Sequence, residues 1–278
     1  MEIWEAIIVG IVQGLAEFLP ISSSGHIVLT QVLLGIDEKN LAFEVVLHLG
    51  TLVSVVIFFR ASLWKLCQSL WTKDMKEERM KIFWLGVATV PAVVAYKLFG
   101  DYFKAAYDNP VLVSGLLLLT AALLFVPKMV KAKSAGIGAK SSLWMGVGQA
   151  FAILPGISRS GSTIAAGLMS GVKAEKAAEF SFLMSIPAIV GGFILTLKDV
   201  AEEVAVVDGV EVEKGWSAAL DSCLSQSYLA GALAAAVVGL FAIYLVMDVV
   251  KRGKLEYFSY YLIAAGITGM IYFSTIGS

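Results

Sequence analysis

A single arginine stands in a polar decapeptide between two strongly apolar stretches: Leu154-Pro155-Gly156-Ile157-Ser158-Arg159-Ser160-Gly161-Ser162-Thr163. At membrane depth a charged side chain costs about 2.5–3.5 kcal/mol on insertion scales, so Arg159 requires a counter-charge, a cavity or a ligand. The glycines let backbone approach a bound group, and the hydroxyls sit where a helix begins. A helix N-terminus offers unpaired N–H groups and a positive dipole end, which suit an anion. The planar fork of Arg159 matches phosphate oxygens. The serines alone would equally suit capping of a broken helix; the embedded arginine is what argues for a ligand. No Gly-Lys-Ser/Thr follows the glycines, so this is not a P-loop.

A second polar break, Pro20-Ile21-Ser22-Ser23-Ser24-Gly25-His26, aligns with the first at a constant offset of 136, which places Gln13 on Gln149, Ser22 on Ser158, Ser24 on Ser160 and Gly25 on Gly161. Where the copies differ, they differ in charge: Glu17 faces Ile153, Ser23 faces Arg159 and His26 faces Ser162. One copy contributes a carboxylate and an imidazole, the other a guanidinium, as expected of a duplication specialised into two parts of one site. Glu17, one helical turn after Gln13, suits a divalent cation bridging phosphate oxygens, a general base, or the counter-ion of Arg159. His26, beside a hydroxyl cluster in an apolar chain, reads as functional. His48 reads as a structural residue within an apolar helix, and Glu44 as a supporting metal ligand near the interface.

The elements that must position these residues are membrane helices. Hydrophobic residues make up 58% of the 278, charged residues 15%, and the mean hydropathy is +0.82, well beyond a soluble domain. The formal charge of −1 and the lack of any basic-aromatic cluster give no footing for nucleic acid. The N-terminus, Met1-Glu2-Ile3-Trp4-Glu5, is acidic and reads as no cleavable signal. Two cysteines, Cys67 and Cys223, make no disulfide framework. Spans of the length a bilayer needs are expected at about 41–59, 82–99, 111–126, 177–197, 228–250 and 257–276. The arms flanking the two breaks, Ile3 to Ile36 and Ser141 to Gly171, are short and favour re-entrant hairpins.

The expected architecture is therefore an all-α polytopic membrane protein, a single domain over 1–278. It has six transmembrane helices and two re-entrant helical hairpins in an inverted-topology repeat of roughly 1–126 and 137–276. Arg60 to Lys81, Lys128 to Lys140 and Lys251 to Lys254 are rich in Lys and Arg, whereas Asp199 to Glu213 holds six acids and no base. Alternating the spans puts the basic loops together on the cytoplasmic face, with the first hairpin entering from outside and the second from the cytoplasm. Trp71, Trp84, Tyr96, Tyr102, Tyr257 and Tyr260 read as interfacial anchors. The small-residue stretch Gly231 to Gly239 permits close packing within the chain or in a homodimer.

The two motifs, Glu-Phe-Leu-Pro-Ile-Ser-Ser-Ser-Gly-His at 17–26 and Pro-Gly-Ile-Ser-Arg-Ser-Gly-Ser-Thr at 155–163, resemble those of the undecaprenyl pyrophosphate phosphatases, the bacitracin-resistance family. The resemblance extends over essentially the whole chain. It implies an enzyme of the bacterial plasma membrane that removes the terminal phosphate of undecaprenyl pyrophosphate with the help of a divalent cation, Mg or Ca, regenerating the carrier lipid for wall polymers. The family's first motif is Glu or Gln, three residues, then Glu; Gln13 and Glu17 are the glutamine form, with one carboxylate, and no dedicated protein cage for the cation is expected. The matching catalytic positions are Glu17, Ser23, His26 and Arg159. Pyrophosphate contacts fall to Ser22, Ser24 and Gly25 of the first break and to Ser158, Arg159, Ser160 and Thr163 of the second. Ser23, His26 or an activated water remain the three choices for the group that attacks phosphorus. The polyprenyl tail is expected in a lateral groove, and the site is expected to open to the extracytoplasmic side. A transporter or lipid flippase is the rival reading, since inverted repeats with broken helices also build transporters.

Overall fold

The structure is a computed structural model describing residues 1–36, 41–129, 135–202, 204–207, 210–213 and 215–276. It is helical almost throughout, and both polar stretches interrupt helices. The first pair is α1 (Ile3–Phe18) and α2 (Ser23–Leu34). At 1.5 Å per residue these are about 24 and 18 Å long, each short of the ~30 Å hydrocarbon layer. The chain leaves α1 at Pro20 and enters α2 through Ser22, the one positive-φ residue other than glycine among those described (φ 72), whose hydroxyl accepts the Gly25 N–H.

Between the two interrupted pairs run α3 (Leu41–Phe58), α4 (Arg60–Ser69), α5 (Lys76–Ala106) and α6 (Pro110–Phe125). The second interrupted pair is α7 (Ala139–Phe151) and α8 (Arg159–Met169), capped by Ser158 through the Gly161 N–H. The two caps, Ser22 and Ser158, stand at the repeat offset. Next come α9 (Ala174–Glu202), α10 (Gly215–Cys223), α11 (Gln226–Lys251) and α12 (Glu256–Ile276).

Among the described residues, four helices are long and apolar enough to cross a membrane: α5, α6, α9 and α11. A fifth crossing requires taking α3 together with α4, which are bent 77° to one another. The span expected at 41–59 falls on α3, and the more polar α4 that follows Phe59 turns away. The sixth expected crossing, α12, carries four tyrosines and falls outside that set. The acidic segment expected as a plain loop contains the only strands among the described residues, an antiparallel ribbon of β1 (Val204–Val207) and β2 (Val210–Glu213), with Val204 opposite Glu213.

Packing couples the two halves. α1 lies along α11 and α7 along α5, while α3 lies against both α11 and α9. A Cβ at Gly10 would collide with the Gly231 carbonyl, and one at the equivalent Gly146 with the Ala88 carbonyl. The small-residue face of α11 thus serves α1 inside the chain, with Gly14 against Ala235 and Gly239. At the end of α1, the fully buried Phe18 meets Phe182 of α9 edge-on at 5.7 Å between ring centroids, which fixes the neighbouring Glu17.

The second break is equally constrained. Gly156 has φ +95, and a Cβ there would strike the Val113 carbonyl of α6. Gly156→Ala is therefore expected to destabilise by about 1–3 kcal/mol from backbone strain alone, read as a lower unfolding midpoint in detergent. Gly191→Ala, in a helix with open space at that position, should leave the midpoint unchanged.

Candidate active site

The two breaks are tied to each other by hydroxyl-to-backbone bonds. The Gly156 N–H donates to Ser22 Oγ at 3.1 Å, and Ser160 Oγ donates to the Leu19 carbonyl at 3.2 Å. Thr120 of α6 spans the second break, donating to the Gly156 carbonyl at 2.8 Å and accepting the Ser158 N–H at 3.1 Å. Buried backbone groups freed by breaking a helix in an apolar layer need such partners, because no water is there to supply them.

This bracing brings the two unlike charges together. Arg159 Nη2 lies 2.5 Å from Glu17 Oε1, while Nη1 donates to the Ser181 carbonyl at 3.4 Å. The other Glu17 oxygen, Oε2, accepts from Ser23 Oγ at 2.7 Å and Gln13 Nε2 at 3.3 Å, with His48 Nε2 at 3.6 Å. Both charged side chains are buried, with side-chain exposures of 7% for Glu17 and 15% for Arg159, so the pair meets in a medium where its attraction is strong. They line a cavity of about 280 Å³ together with Ser22, Ser23, Ser24 and Ser158. The far wall, with Ala188, Ile189, Gly192 and Phe193 of α9, is apolar. The arrangement offers a guanidinium, several hydroxyls and the start of α8 to an anion, beside a carboxylate that already holds a serine hydroxyl.

Several residues expected at the ligand stand behind it instead. Thr163 donates to the Arg159 carbonyl at 2.8 Å and shares a 2.6 Å bond with Ser181 Oγ, so it supports the arginine's helix and does not line the cavity. Ser160 is used on Leu19, and Gly25 packs against Leu117 and Gly156. His26, expected among the catalytic groups, lies outside the cavity. Its Nδ1–H donates to the Ser22 carbonyl at 2.8 Å, which swings the ring onto Tyr261 of α12, whose O–H donates to Nε2 at 2.7 Å. The rings stack at 5.5 Å.

His48, Tyr107 and Ser181 were not expected at the site, whereas Glu44 was read as a supporting metal ligand. His48 was read as structural, yet it lines the cavity and approaches Glu17. Glu44, four residues before it, lines the same wall, and the i, i+4 spacing was the available signal. Tyr107 and Ser181 carry no motif in sequence. The two histidines are thereby separated: His26→Ala is expected to loosen the first break, lowering the unfolding midpoint along with activity. His48→Leu should keep the midpoint and lower kcat/KM less than loss of a direct hydrogen bond would, because its Nε2 stands 3.6 Å from Glu17 Oε2.

Glu17 and Glu44 are the carboxylates on the cavity wall, the donor type that a Mg or Ca ion takes. Among the described residues no group of three or more His, Cys, Asp or Glu side chains is placed to hold a metal. Glu17 Oε2 and His48 Nε2 face the same cavity, and His48 Nδ1–H is occupied by the Glu44 carbonyl at 2.7 Å. Gln13 turns its amide nitrogen, not its oxygen, toward Glu17; its Oε1 is buried without a partner.

Apolar helices enclosing a carboxylate–guanidinium pair between two broken helices define a multi-pass membrane protein with a charged site among its helices. Residues 6–268 match the family described as bacitracin resistance protein BacA, and the chain belongs to that family. Curated relatives bearing the name undecaprenyl-diphosphatase include those of Rubrobacter xylanophilus, 40% identical over 275 residues (95% of this chain, 96% of the relative), and Methanobrevibacter smithii, 37% over 284 (96% of each). The Salinibacter ruber protein is 36% identical over 281 residues (96% of this chain, 98% of the relative).

Proposed function

We propose that this protein is an integral membrane phosphatase that hydrolyses undecaprenyl pyrophosphate to undecaprenyl phosphate and phosphate, recycling the carrier lipid for wall polymers and thereby conferring bacitracin resistance. The observation that carries the reading is the buried Glu17–Arg159 pair with Ser23 on the free side of the carboxylate. Before substrate enters, Arg159 is neutralised by Glu17. An arriving pyrophosphate competes for the guanidinium, and as Arg159 turns to the phosphate oxygens Glu17 loses its counter-charge and becomes the acceptor for a proton. That proton comes from Ser23 as its Oγ attacks the terminal phosphorus, or from a water held in the same place. The bond from phosphorus to the bridging oxygen breaks and undecaprenyl phosphate departs; if Ser23 attacked, water then releases the phosphate from it. Arg159, Ser158 and the start of α8 stabilise charge on the transferring group. A divalent cation, when bound, would neutralise further pyrophosphate charge, with the carboxylates of Glu17 and Glu44 as its protein donors.

The apolar wall on α9 suits the first isoprene units, with the remainder of the tail lying between helices. The equivalent placement of Ser22 and Ser158, and of Gly10 and Gly146, supports the inverted repeat with six crossings, and the basic loops support an extracytoplasmic opening in the plasma membrane. The test is phosphate release from undecaprenyl pyrophosphate by purified protein in detergent, with and without EDTA. Cation-dependent release is expected. Its absence from well-folded protein under every cation would leave the transporter reading in the lead, since detergent offers no second compartment.

A further inference from the structure

Tyr107 lies in the turn between α5 and α6, outside both motifs, yet its side chain lines the cavity with Ser24, Ser158 and Arg159. Ser24 lies beside it on the same wall and lowers the phenol's pKa. Ser24 Oγ is in turn 3.3 Å from Ser22 Oγ, and Ser22 Oγ accepts the backbone N–H groups of Gly156 at 3.1 Å and Gly25 at 3.5 Å. Three hydroxyls thus lie in a chain from the crossing of the two breaks to the cavity wall.

Counting protons along this chain gives it a direction. A hydroxyl carries one proton and two acceptor lone pairs. Two N–H donors occupy the lone pairs of Ser22, so its own proton goes to Ser24. The Ser24 proton is then turned toward the cavity, where Tyr107 lies, and the phenol proton is available to a bound group. Burial, followed by the negative charge of Glu44, pushes the Tyr107 phenol up to about 12; Glu17 adds in the same direction, against the lowering effect of Ser24. The group is a neutral donor throughout the physiological range, facing a site built for an anion.

We infer that Tyr107 is a further headgroup-binding residue, whose phenol O–H donates to a phosphate oxygen of the bound pyrophosphate while Ser24 and Ser22 orient it from behind. The inference rests on the proposed phosphatase reading only for the identity of the anion. A tyrosine reaching in from the α5–α6 turn would let the cavity grip the end of the headgroup remote from the embedded breaks.

The test is binding of a non-hydrolysable methylene diphosphonate of the polyprenol to wild type and Tyr107→Phe, with the uncharged polyprenol as the second probe. Phenylalanine keeps the ring and removes only the hydroxyl. The expected result is a Kd for the diphosphonate raised by about tenfold or more, the loss of one hydrogen bond to a charged group, with the polyprenol bound equally by both proteins. Kinetically, KM should rise with kcat retained. An unchanged diphosphonate Kd would overturn the proposal, as would equal weakening of both probes, which would make Tyr107 a structural brace for Ser24. Phosphate release by the wild type is scored separately: a wild type that binds the diphosphonate through Tyr107 but releases no phosphate would sink the phosphatase reading and leave the headgroup contact standing.

Discussion

Arg159→Ala is expected to lower phosphate release by at least roughly 10²–10³-fold, the range found when one preorganised donor to a developing oxyanion is removed. The loss should lie in kcat as well as KM, because charge develops on the bridging oxygen as its bond to phosphorus breaks and the transition state is then the better partner for a guanidinium. A second effect follows from burial. Alanine leaves Glu17, with 7% of its side chain exposed, without its closest partner at 2.5 Å. Breaking a buried pair from one side costs about 3–5 kcal/mol, so the variant should also unfold at lower temperature. The double variant Arg159→Ala/Glu17→Gln separates the two effects: it removes the stranded charge and is expected to recover most of the midpoint while remaining inactive. Recovery of activity in the double variant would mean that the pair is merely structural. Arg159→Lys is expected to fall between, since a lysine keeps the charge but cannot hold Glu17 and the Ser181 carbonyl at once.

That the two residues meet was legible before any coordinates, for a physical reason. Only a few charges sit inside the apolar segments, and a lone arginine there demands a partner; Glu17, in the equivalent break, was the obvious supplier. The breaks were legible from Pro20, Pro155 and the serine–glycine clusters, which stop a helix by removing a donor or by offering the backbone a competing bond. What the sequence hid is tertiary. Nothing local says that His26 will spend its Nδ1–H on the Ser22 carbonyl and rotate toward Tyr261, or that His48, on a separate helix, will point at Glu17. The distinction between Ser158, which lines the cavity, and Thr163, which braces Arg159 from behind, depends on which turn of α8 faces α9. The 77° bend between α3 and α4 likewise depends on where α4 finds a surface to lie on. The ribbon is a different case: Val204 to Val207 and Val210 to Glu213 flank Asp208-Gly209 in the sequence, a hairpin dipeptide between valine-rich runs, and that signal was legible.

Ser23 carries the second large effect, and its size decides the chemistry. Its hydroxyl is 2.7 Å from Glu17 Oε2 and lines the cavity, whereas the ring of His26 bonds the Ser22 carbonyl and Tyr261; this placement favours Ser23 or water over His26 for the attack. If Ser23 Oγ attacks phosphorus, Ser23→Ala removes the nucleophile and should lower kcat by on the order of 10⁴-fold or more, as in other enzymes stripped of a nucleophilic serine. If Ser23 only helps Glu17 orient a water, the loss should be near that of one hydrogen bond to a charged group, about 10–100-fold. The geometry favours the larger value, because the serine oxygen already occupies the position next to the base that a water would need. Acid quenching during turnover should then trap phosphate on Ser23, and a chiral thiophosphate at the terminal position should leave with net retention after two displacements. Inversion, together with a modest loss in Ser23→Ala, would assign the attack to water and reduce Ser23 to a residue that holds Glu17 in place.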